Sequence, residues 1–206
     1  RDLGRTVIAG YPWFLDWGRD TFISARGLLA AGRHDDVRQL LMTFGRFEDH
    51  GTLPNLLNGD RAENRDTSDA PLWYAVVLEE LAGVLSGGSD STKAEKSVAL
   101  YHLKADADRT LADIVRSIAC GYLAGTANGI RTDPTSALVW SPPHFTWMDT
   151  NHPACTPRQG YPIEIQVLWI RLLRQLAQGG TSLGVGRKGQ VVFEEGWSTG
   201  KSTLDP

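Results

Sequence analysis

The chain has 206 residues and a formal net charge of −3. This length is enough for one sizeable hydrophobic core, and the charge gives no electrostatic reason to expect nucleic acid or an anionic membrane as a partner. The two cysteines, Cys120 and Cys155, have no metal-ligand spacing, and neither a membrane span nor a signal peptide is evident. We therefore expect a cytoplasmic protein without metal or cofactor.

The first informative stretch is residues 10–20, GYPWFLDWGRD, which combines four aromatic rings with two carboxylates and an arginine. A pyranose ring stacks its C–H face on an aromatic ring, and its hydroxyls pair with carboxylate and guanidinium groups. An aromatic core segment is the alternative, but the adjacent Arg19 and Asp20 are costly to bury without partners. The stretch therefore favours the wall of a sugar-binding cleft.

Apolar residues at helical spacing dominate the chain up to residue 178. They predict helices over residues 21–31, 35–47, 71–85, 92–123 and 162–176, the fourth being one long helix or two abutting ones. Asp20 stands at the N-cap position of the first helix. Ser68 or Asp69 would cap the third, because Pro71 fits only in a first turn. Consecutive helices joined by short turns predict antiparallel hairpins.

The segments between the helices carry the polar clusters. Residues 48–62 are rich in Gly, Pro and Asn and predict a loop, whereas residues 125–140 predict a small β-hairpin. Residues 184–189 match G-x-G-x-x-G, but a helix precedes them and a strand-like run follows, so a hairpin turn is the better interpretation. The chain is thus predicted to be all-α, with a small β-hairpin in a connection and a binding face of loops at one end.

Three motifs in the same order resemble the amylo-α-1,6-glucosidase part of glycogen debranching enzymes, a glucoamylase-like family. They are AGYPWFLDWGRDT at residues 9–21, NRDTSDAPLW at 64–73 and TWMD at 146–149. The resemblance covers about residues 5–175. It implies an (α/α)6 barrel of the six-hairpin glycosidase type, with its first, N-terminal half in residues 1–178 and an unplaced tail in residues 179–206.

Glycoside hydrolysis needs one carboxylic acid to protonate the leaving oxygen and a second carboxylate to activate water. The apolar neighbours of Asp149 favour the neutral acid by desolvation, although an Asp that caps a turn is an equal alternative from the residues alone. The resemblance implies that Asp149 is the general acid. It also implies a set of substrate-binding residues, Tyr11, Trp13, Trp17, Arg19, Asp20, Arg65, Asp66, Asp69, Trp147, Arg158 and Glu164.

The general base of this family lies late in the barrel, and no counterpart is found here. Glu194 and Glu195 are a late acid pair, but their strand-like setting does not resemble the base motif. We therefore expect a fragment of an inverting hydrolase that acts on α-1,6-linked glucose in glycogen or limit dextrin and is inactive by itself. The alternatives are a non-catalytic glucan-binding helical protein and a related hydrolase such as a trehalase-like enzyme.

Overall fold

In the computed structural model of the chain, residues 4–86, 91–150, 156–178, 182–185 and 191–194 are described. Within them lie six helices, α1 (Gly18–Ala30), α2 (His34–Gly45), α3 (Ala70–Ser86), α4 (Ser91–Tyr101), α5 (Leu111–Ala124) and α6 (Ile163–Gln178). The strands are β1 (Asp16–Trp17), β2 (Leu56–Asn58), β3 (Arg61–Glu63), β4 (Arg131–Thr132), β5 (Val139–Trp140), β6 (Ser182–Val185) and β7 (Val191–Glu194). The fold is mostly helical with small antiparallel sheets, as the sequence predicts.

Helix α3 is the centre of the core. It packs against α1, α2, α4 and α6, and it is apolar around most of its circumference, as expected of a helix surrounded by others. The ring of Phe22 on α1 meets Phe44 on α2 at 4.9 Å between centroids and Tyr74 on α3 at 5.5 Å, both edge-on. This aromatic cluster fixes the first three helices to one another.

The helix starts differ from the predictions. Helix α1 begins at Gly18 with Trp17 as its N-cap residue, so the predicted cap role of Asp20 is wrong; Asp20 lies in the first turn instead. At α3, the hydroxyl of Thr67 accepts the Ala70 N–H at 3.2 Å. Neither side chain predicted to cap α3 does so, because that of Ser68 bonds Ser141 and that of Asp69 bonds Arg19.

The predicted stretch 92–123 is two helices separated by residues 102–110, so the predictions of one long helix and of two abutting helices are both wrong. Helix α5 starts at a capping box. Thr110 Oγ1 accepts the Asp113 N–H at 3.2 Å, and Asp113 Oδ2 accepts the Thr110 N–H at 2.8 Å. This reciprocal pair defines a new helix start, because it satisfies backbone donors that an uninterrupted helix would bond internally.

Two predicted hairpins are confirmed. Strand β4 pairs with β5, with Arg131 opposite Trp140, and β6 pairs with β7, with Ser182 opposite Glu194. Residues 186–189 of the predicted turn lie outside the described residues, as do Cys155, residues 179–181 and the predicted tail from Glu195 onward.

A third, unpredicted sheet holds the site. Strand β1 pairs with β2, with Trp17 opposite Leu56, and β2 pairs with β3. The Gly18 N–H donates to Asn55 O at 2.9 Å, so the sheet continues directly into the start of α1. A Cβ at Gly18 would lie 2.6 Å from Pro54 O, so only glycine permits this close approach.

One face of α6 is apolar and exposed. Ile163 is 73% exposed and Val167 59%, and Ile23 of α1 is exposed beside them. A contiguous apolar surface of this kind is unusual on a monomeric soluble protein. No helix of the described residues is long and apolar enough to cross a bilayer.

Candidate active site

Arg19 in the first turn of α1 is buried and joins the three sequence motifs. Its Nε donates to Asp69 Oδ2 at 2.6 Å and its Nη2 to Asp69 Oδ1 at 2.9 Å, a bidentate ion pair. Nη1 donates to Asp149 Oδ2 at 2.7 Å, and Nη2 also donates to Thr146 O at 2.9 Å. Asp69 and Asp149, which are 50 and 130 positions from Arg19 in the chain, therefore bind the same guanidinium.

The two carboxylates on Arg19 differ in setting. Asp69 is buried, and its Oδ1 also accepts the Thr67 hydroxyl at 2.8 Å, so both its oxygens are engaged within the protein. The side chain of Asp149 is 34% exposed. Burial alone would lower the pKa of Arg19, but the hydrogen bonds and charges of the two acids outweigh it and raise that pKa. Arg19 is therefore a permanent cation between a fixed and an accessible carboxylate.

A small polar pocket opens beside Asp149, with a volume of about 190 Å³. We call it the Asp149 pocket; its lining includes Trp17, Asn55, Asn64, Asp66, His144 and Asp149. Phe145 also lines it, but Trp147 is 61% exposed and lies elsewhere. The apolar enclosure of Asp149 that the sequence favoured is therefore not observed, and the carboxylate faces polar groups.

A second, apolar groove of about 380 Å³ runs between α1, α3 and α6. Its lining includes Ile23, Trp73, Trp147, Ile163, Val167 and, as polar members, Asp69 and Glu164. Asp69 thus lines this groove and also binds Arg19. The exposed indole of Trp147 belongs to this groove, two residues from Asp149 in the chain.

The match to known proteins agrees with this arrangement. A model of the amylo-alpha-1,6-glucosidase family matches residues 1–194. The chain belongs to this family. It is similar to the glycogen debranching enzyme of Saccharomyces cerevisiae (strain ATCC 204508 / S288c), with 34% identity over 89 residues. These residues cover 40% of this chain and 6% of the yeast protein, so the chain spans a small part of that relative's length.

The aromatic stretch of this amylo-α-1,6-glucosidase family member divides into two parts. Trp17 lines the Asp149 pocket, whereas Tyr11 and Trp13 are 79% and 83% exposed on a loop that the hydrogen bond from Ala9 N to Leu15 O closes. Of the three aromatic residues predicted from this stretch, only Trp17 therefore lies at the pocket of Asp149. Asp20 is exposed on the first turn of α1.

Arg65 and Asp66 are adjacent but face different surroundings. Arg65 Nη1 donates to Thr52 O at 3.0 Å and Nη2 to Phe47 O at 2.7 Å, so its guanidinium holds the 47–52 segment. Burial lowers the pKa of Arg65. Asp66 lines the pocket with Asp149. Of the predicted pair, the aspartate lies at the pocket and the arginine supports a neighbouring loop.

Arg158 and Glu164 form an ion pair with each other through Nη2 and Oε2. Arg158 Nε and Glu164 Oε1 are buried and without a hydrogen-bond partner among the described residues. Glu164 reaches the apolar groove rather than the Asp149 pocket. Neither Arg158 nor Glu164 therefore takes part in the hydrogen bonds around Arg19.

Three polar residues of the pocket were not predicted as site residues, namely Asn55, Asn64 and His144. Asn55 lies in a connection that reads as an ordinary polar loop, where an isolated asparagine gives no sequence signal, whereas Asn64 is the first residue of the second motif but was given no role. The backbone of His144 has a φ angle of 63°, a left-handed conformation that is rare for residues other than glycine. Within the described part of the chain, no group of three or more His, Cys, Asp or Glu side chains could hold a metal ion.

Proposed function

We propose that this chain is the part of a glycogen-debranching glucosidase that binds the terminal α-1,6-linked glucose and supplies the general acid, Asp149. The observation that carries the proposal is the convergence of all three motifs on Arg19. An arginine fork held by a buried carboxylate keeps a second, accessible carboxylate at a fixed place beside a small polar pocket. Family membership supports the same assignment.

The contacts of the two carboxyl groups favour Asp149 over Asp69 as the acid. Asp69 accepts two hydrogen bonds from Arg19 and one from Thr67, so both its oxygens are engaged. Among the described residues, Asp149 accepts one hydrogen bond, from Arg19, and its side chain is 34% exposed. Asp149 is therefore the carboxyl group of the two that can contact a substrate.

In the proposed reaction, Asp149 donates its proton to the glycosidic oxygen while water attacks the anomeric carbon from the opposite face of the ring. A second carboxylate, about 6.5 to 9.5 Å from Asp149, takes the proton from that water, and the configuration is inverted. Asp69 does not suit this role, because both its oxygens are engaged. We propose that the general base comes from outside this chain. In this proposal the chain forms half of an (α/α)6 barrel, and the enzyme is cytoplasmic.

The test measures glucose released by the complete protein from a limit dextrin with single α-1,6-linked glucose stubs. We expect release, with the β-anomer appearing first. Release from trehalose but not from dextrin would instead indicate a trehalase-like enzyme, and binding without release would indicate a glucan-binding protein.

A matched pair of arginine variants tests the cluster. Arg19→Lys keeps the charge but loses the fork that joins Asp69 to Asp149, so turnover should fall by at least about tenfold. Arg26→Lys on the same helix is the control, because Arg26 is exposed and pairs with Glu80 away from the pocket. Equal turnover in the two variants would contradict the role given to the fork.

A further inference from the structure

Asn55 is buried without using its side-chain oxygen. The residue is 1% exposed, and Oδ1 has no hydrogen-bond partner among the described residues. Its backbone is fully engaged, since its N–H donates to Asn64 O at 2.6 Å and its carbonyl accepts the Gly18 N–H at 2.9 Å. The unpaired atom is therefore the side-chain oxygen, Oδ1. Buried polar atoms are nearly always paired, so an unpaired one needs an explanation.

The position of this amide suggests the explanation. Asn55 lines the Asp149 pocket, and so does His144, whose Nδ1 is a second buried atom without a described partner. The two come from segments 89 positions apart in the chain, yet both unpaired atoms belong to residues of one small pocket. Two independent unpaired groups at one cavity indicate a ligand that supplies hydrogen bonds to both.

The chemistry of the pocket selects the class of ligand. Asp66 and Asp149 make it acidic, which disfavours phosphate and other anions. A volume of about 190 Å³ is below the roughly 300 Å³ at which pockets for drug-sized ligands begin, so one sugar ring is a better fit than an oligosaccharide. A sugar hydroxyl both donates and accepts, so it can pair with an amide and with either tautomer of an imidazole.

We propose that Asn55 and His144 bind hydroxyl groups of the glucose held beside Asp149, and that Asn55 decides which monosaccharide this pocket accepts. This rests on the proposed function and adds a specificity-determining residue to it. Because the Asn55 carbonyl is bonded to the start of α1, the amide is held at a fixed position relative to Arg19. A hydroxyl missing or inverted at that position would leave the amide unpaired again, which is how such a site rejects an analogue.

The first experiment replaces Asn55 by leucine, which has a similar size and no polar group. Removing an unpaired buried amide should leave the melting temperature of the unliganded protein unchanged or raised. Affinity for glucose, measured by titration calorimetry on the complete protein, should fall by about tenfold or more. Asn58→Ala is the control; Asn58 is exposed on the same hairpin and bonds Glu63. That variant should bind glucose as the wild type does.

The second experiment identifies the hydroxyl. The wild-type protein should bind at least one monodeoxyglucose about tenfold more weakly than glucose, and Asn55→Leu should bind that analogue and glucose equally. Asn55→Ser repeats the comparison with a smaller polar residue in case the leucine does not fold. Equal discrimination by the wild type and both variants would overturn the proposal. A lowered melting temperature with unchanged affinity for glucose would also overturn it. In both cases the proposed function stands if the protein debranches. A wild type that neither binds glucose nor debranches would overturn the proposed function as well.

Discussion

Asp69 and Asp149 contact the same guanidinium, yet their removal should have very different effects on stability. In Asp69→Asn, an amide replaces a carboxylate that is 4% exposed and accepts two bonds from an arginine side chain that is 10% exposed. The amide oxygen can still accept one of these bonds, but the amide nitrogen cannot accept the other, and Arg19 loses its buried counter-ion. Breaking a buried pair in this way costs about 3 to 5 kcal/mol.

Asp149→Asn removes the charge of a carboxylate that is one-third exposed and leaves the Asp69 pair intact. The cost should be about 1 kcal/mol, as for partly exposed ion pairs. Since about 1 kcal/mol shifts the melting temperature by roughly 2 to 4 °C in a domain of this size, Asp69→Asn should lower it by about 6 to 20 °C and Asp149→Asn by at most about 4 °C.

Differential scanning calorimetry of the complete protein and the two variants measures this contrast. Asp60→Asn, the same change at an exposed position between β2 and β3, gives the scatter expected for a neutral site. Equal losses in the two variants, or a larger loss in Asp149→Asn, would refute the assignment of Asp69 as the fixed partner and Asp149 as the accessible one.

Three further outcomes follow from the fold. Gly18→Ala should destabilise the protein by about 1 to 3 kcal/mol in urea unfolding, because its Cβ would meet Pro54 O at 2.6 Å; Gly27→Ala, with open space, should not. The pKa of Tyr101 is raised to about 12 by burial, so the folded state loses stability as pH rises from about 10 through 12, and absorbance should show a tyrosine of the folded protein that ionises at higher pH than exposed tyrosines do. Val167→Lys on the exposed apolar face should reduce aggregation of the isolated chain in light scattering, and an unchanged aggregation rate would contradict the exposure of that face.

The helical part of the fold was predictable because its signals are local. Helices α2 and α6 begin and end within about two residues of their predictions, since apolar spacing is a signal that acts over a few residues. The sheet of β1, β2 and β3 was missed, because each strand is only two or three residues long. Its pairing of Trp17 with Leu56 depends on tertiary contact, which no local pattern encodes.

The candidate site was predictable in membership more than in roles. The motifs placed Arg19, Asp69 and Asp149 in one region, and the structure joins them. That Asp69 holds Arg19, and that Arg65 faces a neighbouring loop, depends on side-chain directions set by long-range packing. Asn55 was missed because its significance lies in an unpaired buried atom, which is a property of the folded chain alone.

The most direct test of the account measures Asp149→Asn in the complete protein on two substrates that differ in leaving group. The α-1,6-linked glucose of a limit dextrin needs protonation to depart, whereas fluoride departs from α-glucosyl fluoride without it. We expect turnover of the dextrin to fall by about a hundredfold or more and turnover of the fluoride to be partly spared. Near-normal debranching, or an equal loss on both substrates, would contradict the assignment of Asp149 as the general acid.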